Sequence, residues 1–150
     1  MTVLIDEFMR EAIKEAEQGF AEGGIPIGSV LVLAGKIIGR GHNRRVQNGD
    51  PTAHGEIECF RHAGRIGDYR KCILYSTLMP CSMCAGSAVL FGVPKVIAGE
   101  DRTFKSSRKF MEDNGVEVVD LNLDECYELL QKFARLHPKV WDEDIGIVSD

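Results

Sequence analysis

"CILYSTLMPCSMCAGSAVLFGVPKVIAGE", residues 72–100, reads as strand, helix, strand. Its first seven residues are a short, β-rich apolar run of the kind found in the middle of a sheet. Pro80 stops that run, since proline gives no N–H to a ladder. Residues 81–91 are mostly small and apolar and suit a helix laid on the sheet, while "KVIAGE" (95–100) is a second buried strand. Strands linked through a helix lie parallel, and this unit therefore points to an α/β fold.

The same alternation continues outward. "SVLVLAGKIIGRGH" (29–42) reads as two strands around a tight turn at Ala34-Gly35. Before it, Ile5, Phe8, Met9, Ala12, Ile13, Ala16 and Phe20 recur at helical spacing until "EGGIPIG" breaks the pattern. A helical pattern returns from His54 to Gly64, after the polar loop "RRVQNGDP". Downstream, residues 104–113 suggest a short helix, "VEVVDL" a final or edge strand, and 122–136 an amphipathic helix. The expected architecture is a three-layer α/β/α sandwich around a five-stranded mixed sheet, largely parallel apart from the first hairpin. Residues 1–150 are read as a single domain.

With 44% hydrophobic and 27% charged residues, composition is that of a globular protein. No apolar run approaches bilayer length, and "MTVLIDEFMREAIKEAEQGF" interrupts its apolar residues with acids, unlike a secretory leader. A cytoplasmic location is therefore expected, with no membrane partner. Five cysteines leave at least one unpaired in any disulfide scheme, which suits a reducing compartment. A net charge of −5 argues against a nucleic-acid partner.

Chemistry concentrates in "PTAHGEIECF" (51–60) and "MPCSMCAGS" (79–87). Cys81 and Cys84, three positions apart, project to the same side of a helix beginning at Cys81. The free N–H groups at such a helix start favour thiolates. His54, at the start of another helix, can join them. Three protein ligands with one position left to water make a catalytic zinc site, whereas a fourth ligand would make a structural one. Two thiolates already balance the charge of the ion, so its water is weakly acidified and needs a nearby base. Glu56 fills that role as a proton shuttle, not as a ligand. His-x-Glu followed by Pro-Cys-x-x-Cys is the signature of zinc nucleobase deaminases.

"EGGIPIG", "GRGHN", "HGEI", "PCSMC", "GED" with "FKS", and the tail "WDEDIG" together resemble the fungal-type zinc-dependent cytosine deaminases, within the cytidine/deoxycytidylate deaminase superfamily. The resemblance implies a cytidine deaminase-like fold, a homodimer, one catalytic Zn2+ per subunit, and conversion of cytosine to uracil and ammonia. It places the zinc ligands on His54, Cys81 and Cys84 and the shuttle on Glu56. It puts substrate contacts on Asn43, Asp144, Phe104 and Trp141, and on the backbone N–H groups of Gly55 and Cys81, with 138–150 as a lid. Asn43 would offer a donor and an acceptor to the ring edge, Asp144 would accept from ring N–H groups, and the two aromatics would flank its flat faces. Two positions depart from the family pattern: Met79 replaces a serine, and Asp142 an aromatic residue. Either is expected to bear on the choice between cytosine and another free base, such as isocytosine or guanine.

Two other functions share parts of this signature. A deaminase of bases within tRNA or single-stranded DNA needs a basic groove, which an acidic tail opposes. A structural zinc module would recruit Cys59 or Cys126 as a fourth ligand. Read by their neighbours, Cys59, Cys72 and Cys126 are buried hydrophobes. His42, His62 and His137 belong to the surface or core edge, with a buttressing role open for His42 beside Asn43. Glu58 reads as an exposed helix acid.

Overall fold

The computed structural model describes residues 5–104 and 106–148. The chain runs through α1 (Glu7–Ala21), β1 (Gly28–Leu33), β2 (Lys36–His42), α2 (Arg45–Asn48), α3 (Gly55–Ala63) and β3 (Cys72–Ser76). There follow α4 (Ser82–Phe91), β4 (Lys95–Ala98), α5 (Arg108–Asp113), β5 (Glu117–Asp120), α6 (Asp124–Leu136) and α7 (Pro138–Asp144). The five strands form one mixed sheet in the order β2-β1-β3-β4-β5.

β3, β4 and β5 are parallel, as helical crossovers require. β1 is antiparallel to both β2 and β3, so half the pairings are antiparallel and the sheet is less parallel than expected. The reason lies in the two hairpin strands. Nearly all of β1 is buried, whereas β2 carries exposed Lys36 and half-buried Arg40 and takes the edge. Ala34 and Gly35 join them with φ of 51° and 76°, the double left-handed geometry of a twisted hairpin turn.

Alternation along the strands divides the core. Val30, Val32 and Tyr75 meet Met9, Ala12 and Ile13 of α1 and Cys126 of α6 on one face. On the other, Leu31, Leu74 and Val96 meet Cys59 and Phe60 of α3, Ala85 and Ala88 of α4, and Met111 of α5. The three-layer sandwich is thus as expected. Gly28 lets α1 lie directly on β1, because a Cβ there would stand 2.1 Å from the Ala12 carbonyl oxygen. Gly41 does the same for α3, whose Cys59 nitrogen would lie 2.8 Å from such a Cβ.

Three local expectations change. The helix expected over 104–113 begins only at Arg108. Buried Glu100 accepts from the N–H groups of Arg102 (2.6 Å) and Thr103 (3.1 Å) and turns the chain before it. Within "RRVQNGDP", Arg45–Asn48 form one helical turn closed by left-handed Gly49. The acidic tail contains α7, opened by Pro138 at a first-turn position where its missing N–H costs nothing. Lys105 of the "FKS" stretch and residues 149–150 of the tail lie outside the described residues.

Candidate active site

β2 and β3 both run opposite to β1, so their carboxyl ends share one edge of the sheet, where α/β folds place ligands. α3 and α4 both start there. His54 is the N-cap of α3 and Cys81 that of α4, and neither side chain caps its helix. Cap positions favour Ser, Thr, Asp or Asn; here they hold metal-binding side chains instead. His54 Nδ1 lies 3.5 Å from Cys81 Sγ and 3.6 Å from Cys84 Sγ. Tetrahedral ligands about 2.1 and 2.3 Å from zinc stand roughly 3.6 Å apart. The three donors are already at that spacing.

Among the described residues, no fourth side chain joins this group. Cys59 and Cys126 are buried elsewhere, and burial pushes the Cys126 thiol up to about 12. A closed structural site is therefore not what the donors form. Within the cluster, the hydrogen bond from Cys84 holds the Cys81 thiol down to about 4 against its burial, with His54 helping. Burial disfavours a charged His54, yet Asp144 and Cys81 outweigh it and raise the imidazole to about 10.

Glu56, in the first turn of α3, is 4% exposed, and its Oε1 has no hydrogen-bond partner. Burial, reinforced by the negative charge of Cys81, raises its carboxyl to about 7. A buried acid oxygen left free beside three metal donors is poised to exchange protons.

His54, Glu56 and Cys81 line a cavity of about 450 Å³, walled by Ile27, Leu78, Met79, Phe104, Trp141 and Asp144. The Asp144 carboxylate lies 3.2 Å from His54 Nε2, on the side of the ring away from the sulfurs. Asn43 is fully buried and does not line the cavity; its Nδ2 donates to Asp144 at 3.4 and 3.5 Å, and its Oδ1 accepts from the Arg45 N–H at 2.9 Å. Gly55 is buried behind the wall as well, with room for no side chain, since a Cβ would meet the Ile27 carbonyl oxygen at 2.9 Å. Phe104 and Trp141 stand edge to face, 6.1 Å apart at 80°. Two planes so inclined cannot both lie parallel to one flat ring, so in this arrangement only one of them could flank a ring face. Of the two departures from the family pattern, Met79 is a cavity wall and Asp142 is not.

His42 is not a surface or core-edge residue. It is 2% exposed, with Nδ1 2.9 Å from Glu15 and Nε2 2.8 Å from Glu22. His62 accepts from the Arg40 N–H at Nδ1, and His137 packs on Phe133. Glu58 is half-buried and paired with Arg61, not freely exposed. Arg45, which pattern alone did not single out, reaches both Glu143 (3.3 Å) and Asp144 (3.9 Å). No sequence signal marks contacts between residues that far apart.

The fold and donor group together define an α/β/α domain with a metal centre at paired helix starts. Residues 3–100 match the family described as the cytidine and deoxycytidylate deaminase zinc-binding region, and the chain belongs to that family. It is 42% identical to a cytosine deaminase of Candida albicans over 141 residues, 92% of this chain and 94% of that one. A tRNA-specific adenosine deaminase of Bacillus subtilis is 45% identical over 95 residues, 61% of this chain and 59% of the other. A solved tRNA:A34 deaminase superposes with a TM-score of 0.74 at 31% identity, over 83% of this chain and 99% of that one. A guanine deaminase from Nitrosomonas europaea shares the fold, with a TM-score of 0.73 at 22% identity over 89% and 87% of the two chains.

Zinc is thus the cofactor of the family, and the donors fit it: one imidazole, two thiols and a free buried carboxyl oxygen alongside. Among the described residues, no helix is long and apolar enough to cross a membrane.

Proposed function

We propose that the protein deaminates a free nucleobase hydrolytically, converting cytosine and water to uracil and ammonia. The observation that carries this reading is the unpartnered Glu56 oxygen in the cavity beside the three donors. The 42% identity to a cytosine deaminase over 92% of the chain, above the 31% to the tRNA:A34 deaminase, supports the choice of base.

His54, Cys81 and Cys84 would hold the zinc ion. Zinc, when bound, supplies the Lewis acidity that makes water a nucleophile near neutral pH. Glu56 takes a proton from the attacking water and gives it to the ring nitrogen next to the amino-bearing carbon. As the water oxygen bonds to that carbon, Glu56 moves the second water proton from the new hydroxyl to the amino group. The hydroxyl becomes the carbonyl of uracil while the C–N bond breaks and ammonia leaves. Asp144 accepts from a ring N–H, while Asn43, buried behind it, acts on the base through Asp144. Phe104 and Trp141 confine the ring, and the N–H of Cys81, which lines the cavity, is available to its polar edge, whereas Gly55 lies behind the wall. The tail from 138 serves as a lid, since α7 brings both Trp141 and Asp144 to the cavity.

A single deaminase domain acting as a homodimer fits exposed Leu90 (80%) and Phe91 (40%) at the end of α4. Five cysteines, all free, fit a cytoplasmic location. Net charge −5 disfavours a nucleic-acid substrate. Ammonia release from zinc-loaded protein, given cytosine, isocytosine, guanine or cytosine-bearing oligonucleotides, tests the reading. Cytosine is expected to be turned over fastest. Release confined to oligonucleotides would overturn the free-base reading, and faster release from isocytosine or guanine would overturn the choice of cytosine.

A further inference from the structure

α7 carries two cavity residues, yet it is short and follows α6 directly. Its apolar side is held by Trp141 and its neighbours, which pack with Ile25, Ile27, Leu78, Leu130 and Phe133. Its acidic end is tied down by one cation from the opposite rim. Arg45 opens α2, just after Asn43, and its side chain is 18% exposed. Its Nε donates to Glu143 Oε2 at 3.3 Å, and its Nη1 donates to the Pro51 carbonyl at 3.4 Å and lies 3.9 Å from Asp144 Oδ1. Its backbone N–H holds Asn43 Oδ1, which leaves Asn43 Nδ2 turned towards the same Asp144 carboxylate.

We propose that Arg45 is a positioning residue: its guanidinium straps α7 to the loop ahead of α3 and so sets Asp144 and Trp141 at the cavity. The role rests on reading the cavity as a free-base site. A planar fork is needed, because one group must reach Glu143, the Pro51 carbonyl and Asp144 from a single stem; lysine, a point charge, satisfies one at a time. Stability is not what the strap serves. Glu143 is 62% exposed, and pairs so exposed contribute little to folding. Asp144, 3% exposed, keeps His54 Nε2 at 3.2 Å and Asn43 Nδ2 at 3.4 Å as partners once the guanidinium is gone. Removing the strap therefore alters where α7 rests, not whether the chain folds.

Trp141 is the only tryptophan and is 7% exposed, so its fluorescence reports on α7 without any need for turnover. The test compares the unsubstituted protein with Arg45→Ala and Arg45→Lys, measuring acrylamide quenching of Trp141, melting temperature, and kcat and KM on the free base. In Arg45→Ala, quenching is expected to rise at least about twofold with little change in melting temperature. KM is expected to rise about tenfold, the scale of one lost charge-assisted contact, with a smaller change in kcat. Arg45→Lys should fall between. Raising salt should increase quenching in the unsubstituted protein and not in Arg45→Ala, since an exposed pair is screened; a neutral base leaves no electrostatic steering to confuse the effect. Unchanged quenching in Arg45→Ala would overturn the proposal, as would a large fall in melting temperature that Arg45→Lys reproduces. Absence of ammonia from every free base would instead overturn the functional reading and leave the quenching result to judge the strap.

Discussion

His42 stands with a carboxylate against each ring nitrogen, Glu15 at 2.9 Å and Glu22 at 2.8 Å. Both nitrogens can donate only in the imidazolium form. Glu15 first, and then Glu22, raise its pKa above the ordinary value of 6.5 despite burial. In turn His42 lowers Glu15, while Gln18 and His42 hold Glu22 at about 2. The signs give a window. The raised histidine contributes fully below about 6.5, and that contribution is lost as pH climbs through its folded value. The lowered carboxylates contribute above about 4.5, and Glu22's share is lost as pH falls through about 2. His42→Ala should cost about 3 kcal/mol, the low end for breaking a buried ion pair because both acids keep some access to water. Denaturant melts at pH 5.5 and pH 9 check this: the loss should be larger at pH 5.5, and equal losses would refute a charged His42. Spacing along the chain hides this cluster, since Glu15 and Glu22 precede His42 by 27 and 20 residues. The metal donors were legible for the opposite reason. Cys81 and Cys84 project to one side of one helical start, and His54, with the carboxyl of Glu56 two residues on, opens another, so short local motifs mark both.

At the scale of elements, close contact of backbones decides the packing. Gly28→Ala would drive a Cβ to 2.1 Å from the Ala12 oxygen and 2.5 Å from the Ala16 nitrogen, and main-chain atoms cannot swing aside as a side chain would. It should destabilise by about 3 kcal/mol, the upper end for overpacking. Gly35→Ala, where nothing lies within 4 Å of the new Cβ, serves as the comparison and should show only the smaller strain of its φ of 76°. Equal melts for the two variants would contradict the close approach of α1 to β1. Strands and long helices were legible because apolar period differs between them: "SVLVL" and "CILYS" are continuous, and α6 repeats at Leu130 and Phe133. The neighbour of β3 was not legible. Choosing β1 over β2 depends on which strand is buried on both faces, a property of the assembled layers. α7 is not legible because seven acidic and mixed residues carry no apolar stripe, and only Pro138 hints at a start.

For the whole molecule, the sheet edge gathers what the sequence scatters. His54 and Glu56 arrive with α3, Cys81 and Cys84 with α4, Phe104 with the loop turned by Glu100, and Trp141 and Asp144 with α7. Motif spacing shows the first four and not how the last three meet, since their approach depends on Arg45, Glu100 and Ile27 in three separate segments. Asn43 illustrates the limit: the resemblance of "GRGHN" implies a substrate contact there, but nothing in that stretch foretells its burial behind Asp144. Deamination at this edge requires a carboxyl group beside three metal donors that moves protons and does not bind the ion. Glu56→Gln keeps the size of that side chain and removes its basicity, so zinc content and ammonia release from cytosine, measured on the same preparation, test it directly. The expected result is about one zinc per chain with turnover reduced roughly 10²- to 10⁴-fold; full turnover, or loss of the zinc, would contradict it.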